Sequence, residues 1–195
     1  GDLDIVAASI DGDPTVLRNN GGGTWIEQQT FRGVPGARAF AWADLDLDAD
    51  PDAAFLDASG MLHVFVNRQA GDFARAPQAG SDLVALGAAD LDSDGTVDLL
   101  TMDRAGAIHR RWRGAEGWDS TPVTEWQAVE GTAAPGSFRL LAADLDNNGA
   151  LDLLASGAGR TAIWLSDEER QMEPLGSPPA AGVVSAIDLN AHGGL

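Results

Sequence analysis

Residues 90–100 read DLDSDGTVDLL, and two other stretches repeat the pattern: DLDLDADPDAAF at 44–55 and DLDNNGALDLL at 144–154. Taking Asp90 as position 1, carboxylates fall at positions 1, 3, 5 and 9 (Asp90, Asp92, Asp94, Asp98), with Gly95 at position 6. Four like charges at this spacing repel one another unless a cation lies among them. Half-copies stand at 1–6 (GDLDIV, the second half of the pattern) and at 188–195 (DLNAHGGL, the first half). First aspartates therefore recur at 44, 90, 144 and 188, a period of about 44–54 residues.

The stretches between copies share one order. A short run ending in small residues precedes each copy: ARAFAWA (37–43), LVALGAA (83–89), FRLLAA (138–143) and VVSAI (183–187). A second apolar run follows: DIVAAS (4–9), DAAFLD (52–57), DLLTMD (98–103) and DLLASG (152–157). After a turn comes an alternating run: TVLRN (15–19), LHVFVN (62–67), AIHRRW (107–112) and TAIWLS (161–166). A last run begins near Trp25, Phe73, Trp118 and Met172. Short alternating runs bounded by Gly, Asp, Asn and Pro are strands, and no segment sustains a helical period; DEERQM (167–172) reads as an extended turn. Four strands per period is the pattern of a propeller blade. The expected fold is all-β: a β-propeller of four-stranded blades, about four blades' worth. The repeats span approximately 1–36, 37–82, 83–136 and 137–181, and 182–195 begins another. The long stretch 114–136 makes the third repeat the largest, as an enlarged loop or an outer strand.

The acidic loops read as calcium sites. Alternate residues of a tight loop turn inward, glycine at position 6 supplies the positive φ that wraps the chain, and the carbonyl at position 7 joins the set. Hard oxygen donors in that number suit Ca²⁺, which takes 6–8 of them in flexible geometry, better than Mg²⁺. Zinc is not indicated, since there is no cysteine and the three histidines are scattered. An EF-hand shares the ligands through position 5 but needs a glutamate at position 12 and flanking helices; position 12 here is Phe55, Thr101 or Ala155, and the flanks are strands. A solvated aspartate-rich hairpin would explain a single copy; three full copies, each with an acid at position 9, favour the cation.

The expected ligands are Asp44, Asp46, Asp48, Asp50 and Asp52; Asp90, Asp92, Asp94, Thr96 and Asp98; and Asp144, Asp146, Asn148, Ala150 and Asp152. The copies are unequal. The first has Ala49 where glycine belongs, at a cost on the order of 1 kcal/mol, with Asp50 as an added charge. The third has neutral Asn148 at position 5. Charge and backbone fit thus rank the loop at 90–98 tightest, and the degenerate copy at 188–195 weakest. Affinities of roughly 10⁻⁴–10⁻³ M, as in extracellular modules, are expected, which points to a setting outside the cytoplasm.

DLDSDGTVDLL and DLDNNGALDLL, with strand–turn–strand units such as DIVAASIDGDPTVLRNNGGGTW, resemble the FG-GAP (or VCBS) repeats of integrin alpha-subunit propellers and many bacterial secreted proteins. The resemblance covers essentially the whole chain; the Dx[DN]xDGxxDL element is well represented, the FG and GAP portions poorly. It implies that each calcium loop joins the first two strands of a blade on one face, and a parent propeller of about seven blades. Pairing of the run at 183–187 with the first repeat, closing a four-bladed ring, is the other arrangement.

Thirty acids (23 Asp, 7 Glu) against twelve arginines and no lysine give a net charge of −18. Such a surface disfavours nucleic acid and anionic membranes as partners. Three bound Ca²⁺ would offset about a third of that charge. No apolar run is long enough to span a bilayer. Catalytic signatures are missing: no nucleophile elbow, no HExxH, and Gly21–Gly23 read as a hairpin turn because no helix follows. His63 and His109 sit on alternating strands and read as structural. Trp25, Trp42, Trp112 and Trp164 read as packing residues, whereas Trp118 and Trp126, in the long third repeat, either offer an exposed contact or pack on an outer strand of their own. The expectation is a non-catalytic, calcium-stabilised module, secreted or at the cell surface, for adhesion or for binding a protein or a glycan. The alternative is a propeller-type polysaccharide lyase, which needs an ionisable cluster outside the loops.

Overall fold

The structure is a computed structural model and describes residues 3–69, 71–127, 133–183 and 185–186. Fifteen strands form four antiparallel sheets, with no helix among the described residues. The first sheet holds β1 (Ile5–Ala7), β2 (Thr15–Asn19) and β3 (Trp25–Gln28). The second holds β4 (Ala39–Ala43), β5 (Asp52–Leu56), β6 (Leu62–Asn67) and β7 (Phe73–Arg75). The third holds β8 (Leu83–Ala89), β9 (Asp98–Asp103), β10 (Ala107–Arg113) and β11 (Trp118–Glu125). The fourth holds β12 (Phe138–Ala143), β13 (Asp152–Gly157), β14 (Arg160–Ser166) and β15 (Met172–Pro174). In every sheet consecutive strands are neighbours, the up-and-down order of a blade. The sheets form a propeller-like series that stays open: no strand joins the first to the fourth among the described residues.

The hairpins follow from side chains that bond their own backbone. Asp57 Oδ1 accepts from the N–H groups of Ser59 and Met61, Asp103 Oδ1 from Ala105 and Ala107, and Asp167 Oδ1 from Glu169 and Gln171. Each aspartate thereby reverses the chain without an extra residue. DEERQM is indeed a turn leading into β15.

The core lies between sheets. Phe31, Val34, Ala53, Phe55 and Phe65 fill the space between the first and second sheets. Leu56, Leu62, Val64, Leu83, Leu86 and Leu99 join the second to the third. Leu100, Met102, Ile108, Phe138, Leu140 and Leu153 join the third to the fourth. Phe31, on the linker after β3, is fully buried against Phe55, Phe65 and Phe73, with centroids 4.8, 5.2 and 5.0 Å away. The turn after β1 grips the same linker: Asp13 accepts from Gly33 and Val34 N–H, and Gly12 O accepts from Gly36 N–H.

Of the two readings of the enlarged stretch, the outer strand holds: residues 118–125 form β11, which begins at Trp118, and Trp126 is buried edge-on to Phe138 at 5.3 Å, so the pair forms no exposed contact. Two other expectations change. Trp25 and Trp42, read as packing residues, are 47% and 42% exposed. Of the run expected at 183–187, Val183, Ser185 and Ala186 form no strand, and the half-copy at 188–195 lies outside the described residues.

Candidate metal centre

Each acidic loop joins the first strand of its sheet to the second: 44–51 between β4 and β5, 90–97 between β8 and β9, 144–151 between β12 and β13. The position-1 aspartate builds the loop. Asp44 accepts from the N–H groups of Asp48 (3.2 Å) and Ala49 (3.0 Å). Asp90 accepts from Asp94 (3.0 Å) and Gly95 (3.0 Å), and Asp144 from Asn148 (3.1 Å) and Gly149 (2.9 Å). Position 6 is left-handed in all three, with φ of 70° at Ala49, 89° at Gly95 and 88° at Gly149. Position 4 is left-handed as well: Leu47 (63°), Ser93 (52°) and Asn147 (61°). Leu47 is a second poor fit that the glycine pattern alone does not reveal.

Position 9 anchors the loop to the sheet. Asp52 is fully buried and accepts from Leu45 N–H (3.0 Å) and Asn67 N–H (2.8 Å). Asp152 repeats this with Leu145 (2.6 Å) and Ser166 (2.7 Å). Asp4, in the half-copy, accepts from Asn19 N–H at 2.8 Å, the same role. Burial pushes the Asp52 carboxyl above its usual range, against the pull of those two amides. Burial likewise raises Asp46, together with the charges of Asp48 and Asp44. At Asp98, burial and then Asp94 and Asp90 push the carboxyl up to about 7. Holding these acids together is costly in the absence of positive charge.

Carboxylate oxygens of Asp44, Asp46 and Asp48 lie within 4.8 Å of one another, as do those of Asp90, Asp92 and Asp94, and of Asp144, Asp146 and Asp152. Asp50, Asp52 and Asp98 stand outside these triads. Thr96 and Ala150 are fixed by N–H bonds to Asp94 and Asn148, each 2.8 Å, and Asn148 also donates to the carbonyl of Ser166 at 2.6 Å. Among the described residues, the buried side-chain oxygens without a partner are Asp46 Oδ1 and Asp92 Oδ1, in the first two acidic loops, and Ser166 Oγ, on β14. Buried polar atoms are normally satisfied, so the carboxylate oxygens orphaned in the loops at 44–51 and 90–97, in an all-oxygen donor set, fit a hard cation.

Outside the loops, His63 is buried with its Nε2 2.7 Å from Asp57 Oδ2, while Arg75 donates to Nδ1. Burial pushes the Asp57 carboxyl up, but bonds from His63, Ser59 and Met61 outweigh it and hold the group below its usual range. A cavity of about 800 Å³ opens between the first and second sheets, lined by Phe40, Trp42 and Phe73 with Asp4, Arg18 and Gln28.

Together the open series of four sheets and the repeated aspartate loops define a propeller-like repeat protein with acidic loops. The chain belongs to the FG-GAP-like repeat family, whose model matches residues 1–55 and 90–155. No curated protein matches it. A solved structure from Agrocybe aegerita, of a lectin described by its specific recognition of non-reducing terminal N-acetylglucosamine, is similar with a TM-score of 0.51 at 16% identity. The similarity covers 84% of this chain and 49% of the lectin chain, so this chain spans about half that protein's length. At that identity the likeness concerns the fold.

Proposed function

We propose that this protein is a calcium-stabilised extracellular module that binds a glycan and performs no chemistry on it. The observation that carries the reading is the cavity between the first two sheets. Phe40 and Trp42 stand on β4 at 46% and 42% exposure, beside Phe73, and offer ring faces to the apolar side of a sugar. Asp4, Arg18 and Gln28 supply acceptors and donors around them, the mix of aromatic lining and few polar groups typical of a small-ligand site. The saccharide specificity of the structurally similar lectin lends weight to this ligand class.

Calcium has a structural role in this reading. The triads at 44–48, 90–94 and 144–152 would hold it; a bound ion neutralises the acids and ties the first strand of each sheet to the second. Loops of this charge and openness bind in the range of extracellular calcium, which is why we place the module outside the cytoplasm. Absence of catalysis is supported by His63, the most base-like side chain, whose two ring nitrogens are taken by Asp57 and Arg75.

A glycan array probed in millimolar calcium, followed by calorimetry with N-acetylglucosamine and the array hits, tests the ligand class. Trp42→Ala should weaken saccharide binding at least tenfold while leaving the fold intact. An array with no saccharide signal, or hits indifferent to Trp42→Ala and Phe40→Ala, overturns the glycan reading and leaves a protein ligand. A melting temperature equal in calcium and in EGTA overturns the metal's role.

A further inference from the structure

The loop at 90–98, which charge ranks as the strongest calcium site, already has a cation of its own. Arg110 on β10 bridges two of its acids: Nη1 is 3.1 Å from Asp98 Oδ2 and also pairs with Asp92. Its side chain is only 16% exposed, and its guanidinium lies over the Trp112 ring at 4.7 Å.

Strand register shows that this arginine is a departure from the repeat. Arg110 pairs with Leu100, two residues beyond the position-9 aspartate Asp98. At the same register the other sheets have Val16 (opposite Val6), Val64 (opposite Ala54) and Ile163 (opposite Leu154). Val64 and Ile163 are both buried. An arginine at an aliphatic position is costly to bury unless its charge is matched, and the match is the acidic loop itself. The anchoring differs accordingly: Asp52 and Asp152 accept two backbone N–H groups each, whereas Asp98 is bonded by Arg110.

We propose that Arg110 is a built-in counter-cation for the loop at 90–98, which holds that loop without calcium and competes with calcium for Asp92 and Asp98. The loops at 44–52 and 144–152 are then the tighter sites, the reverse of the order set by charge. This rests on the calcium reading of the loops above. Its consequence is a protein whose third sheet keeps its geometry when calcium is scarce, while its neighbours depend on the ion.

Calorimetric titration with Ca²⁺ of the wild type, Arg110→Val and Arg110→Met tests this, alongside melts in EGTA and in excess calcium. Valine is the residue that two sibling strands carry, and methionine keeps an unbranched stem should valine pack badly. The wild type should show its weakest site at least tenfold below the other two. Either substitution should raise that site at least tenfold, and Asp94→Asn added to it should abolish the gain. Both variants should melt below the wild type in EGTA and recover in excess calcium. Unchanged weakest-site affinity in both variants, or an equal loss of melting temperature in EGTA and calcium, overturns the role of Arg110. A wild type and variants that take up no calcium at all overturn the calcium reading itself.

Discussion

The backbone of the first acidic loop holds two residues of poor fit in the left-handed region, Leu47 and Ala49, and the strain can be removed by borrowing residues from the copy at 144–152. Ala49 sits at φ 70° and Leu47 at φ 63°, where the third copy places Gly149 and Asn147. A left-handed conformation costs an L-residue about 1–2 kcal/mol. Replacing alanine by glycine also frees the unfolded chain, which takes back about 0.4–1 kcal/mol. Ala49→Gly should therefore stabilise by about 0.5–1 kcal/mol net, which for a chain of this size raises Tm by about 1–4 °C. The reciprocal changes supply the control. A Cβ added at Gly95 or Gly149 meets nothing within 4 Å, so Gly95→Ala and Gly149→Ala test backbone cost alone and should each lose about the same amount. Leu47→Asn should add to Ala49→Gly, since asparagine tolerates the left-handed region. Because Asp44 fixes the loop through the N–H groups of Asp48 and Ala49, the gain should be equal in EGTA and in calcium. Thermal melts of the five variants in both conditions decide the matter. If Ala49→Gly lowers Tm, or if the Gly→Ala changes are neutral, backbone strain is not what distinguishes the loops.

Two further outcomes rest on buried groups. Phe31→Ala should cost about 3–5 kcal/mol in urea unfolding, because the ring fills the junction of the first two sheets; a loss below about 1 kcal/mol would mean that the junction does not depend on it. Asp57 is held below its usual carboxylate range, so its stabilisation is complete above the unfolded value of 3.8 and is lost as pH falls through the lower folded value. Asp57→Asn should cost about 3 kcal/mol at neutral pH and shrink the acid-induced loss below about pH 4, read by urea melts from pH 2 to 7; an unaltered acid limb would refute the assignment.

Much of this architecture is legible in the sequence because it is written several times. The four kinds of run recur in fixed order, and β4, β5 and β6 fall on the runs at 37–43, 52–57 and 62–67 as β8, β9 and β10 fall on theirs. The acids of each triad are legible for the same reason: their spacing within a tight loop determines which side chains converge. Features that depend on one repeat differing from another are harder to see. Arg110 stands among arginines in RRWR, and only strand register shows it at an aliphatic position facing the loop. Trp126 and Trp42 exchange their expected roles, since side-chain type does not tell which face of a sheet meets a neighbour. His63 reads as an ordinary strand residue until the hairpin brings Asp57 beneath it.

Every one of the three apolar clusters is shared by two adjacent sheets. Each of the two middle sheets is therefore half of two interfaces, and the molecule resembles a row of pages glued face to face more than a ball around one centre. Damage to one page loosens the glue on either side and leaves distant seams intact. Duplicating or deleting a page restores a seam of the same kind. Such a chain can change length in whole repeats without a new core having to evolve, and each inserted repeat brings its own acidic loop with it.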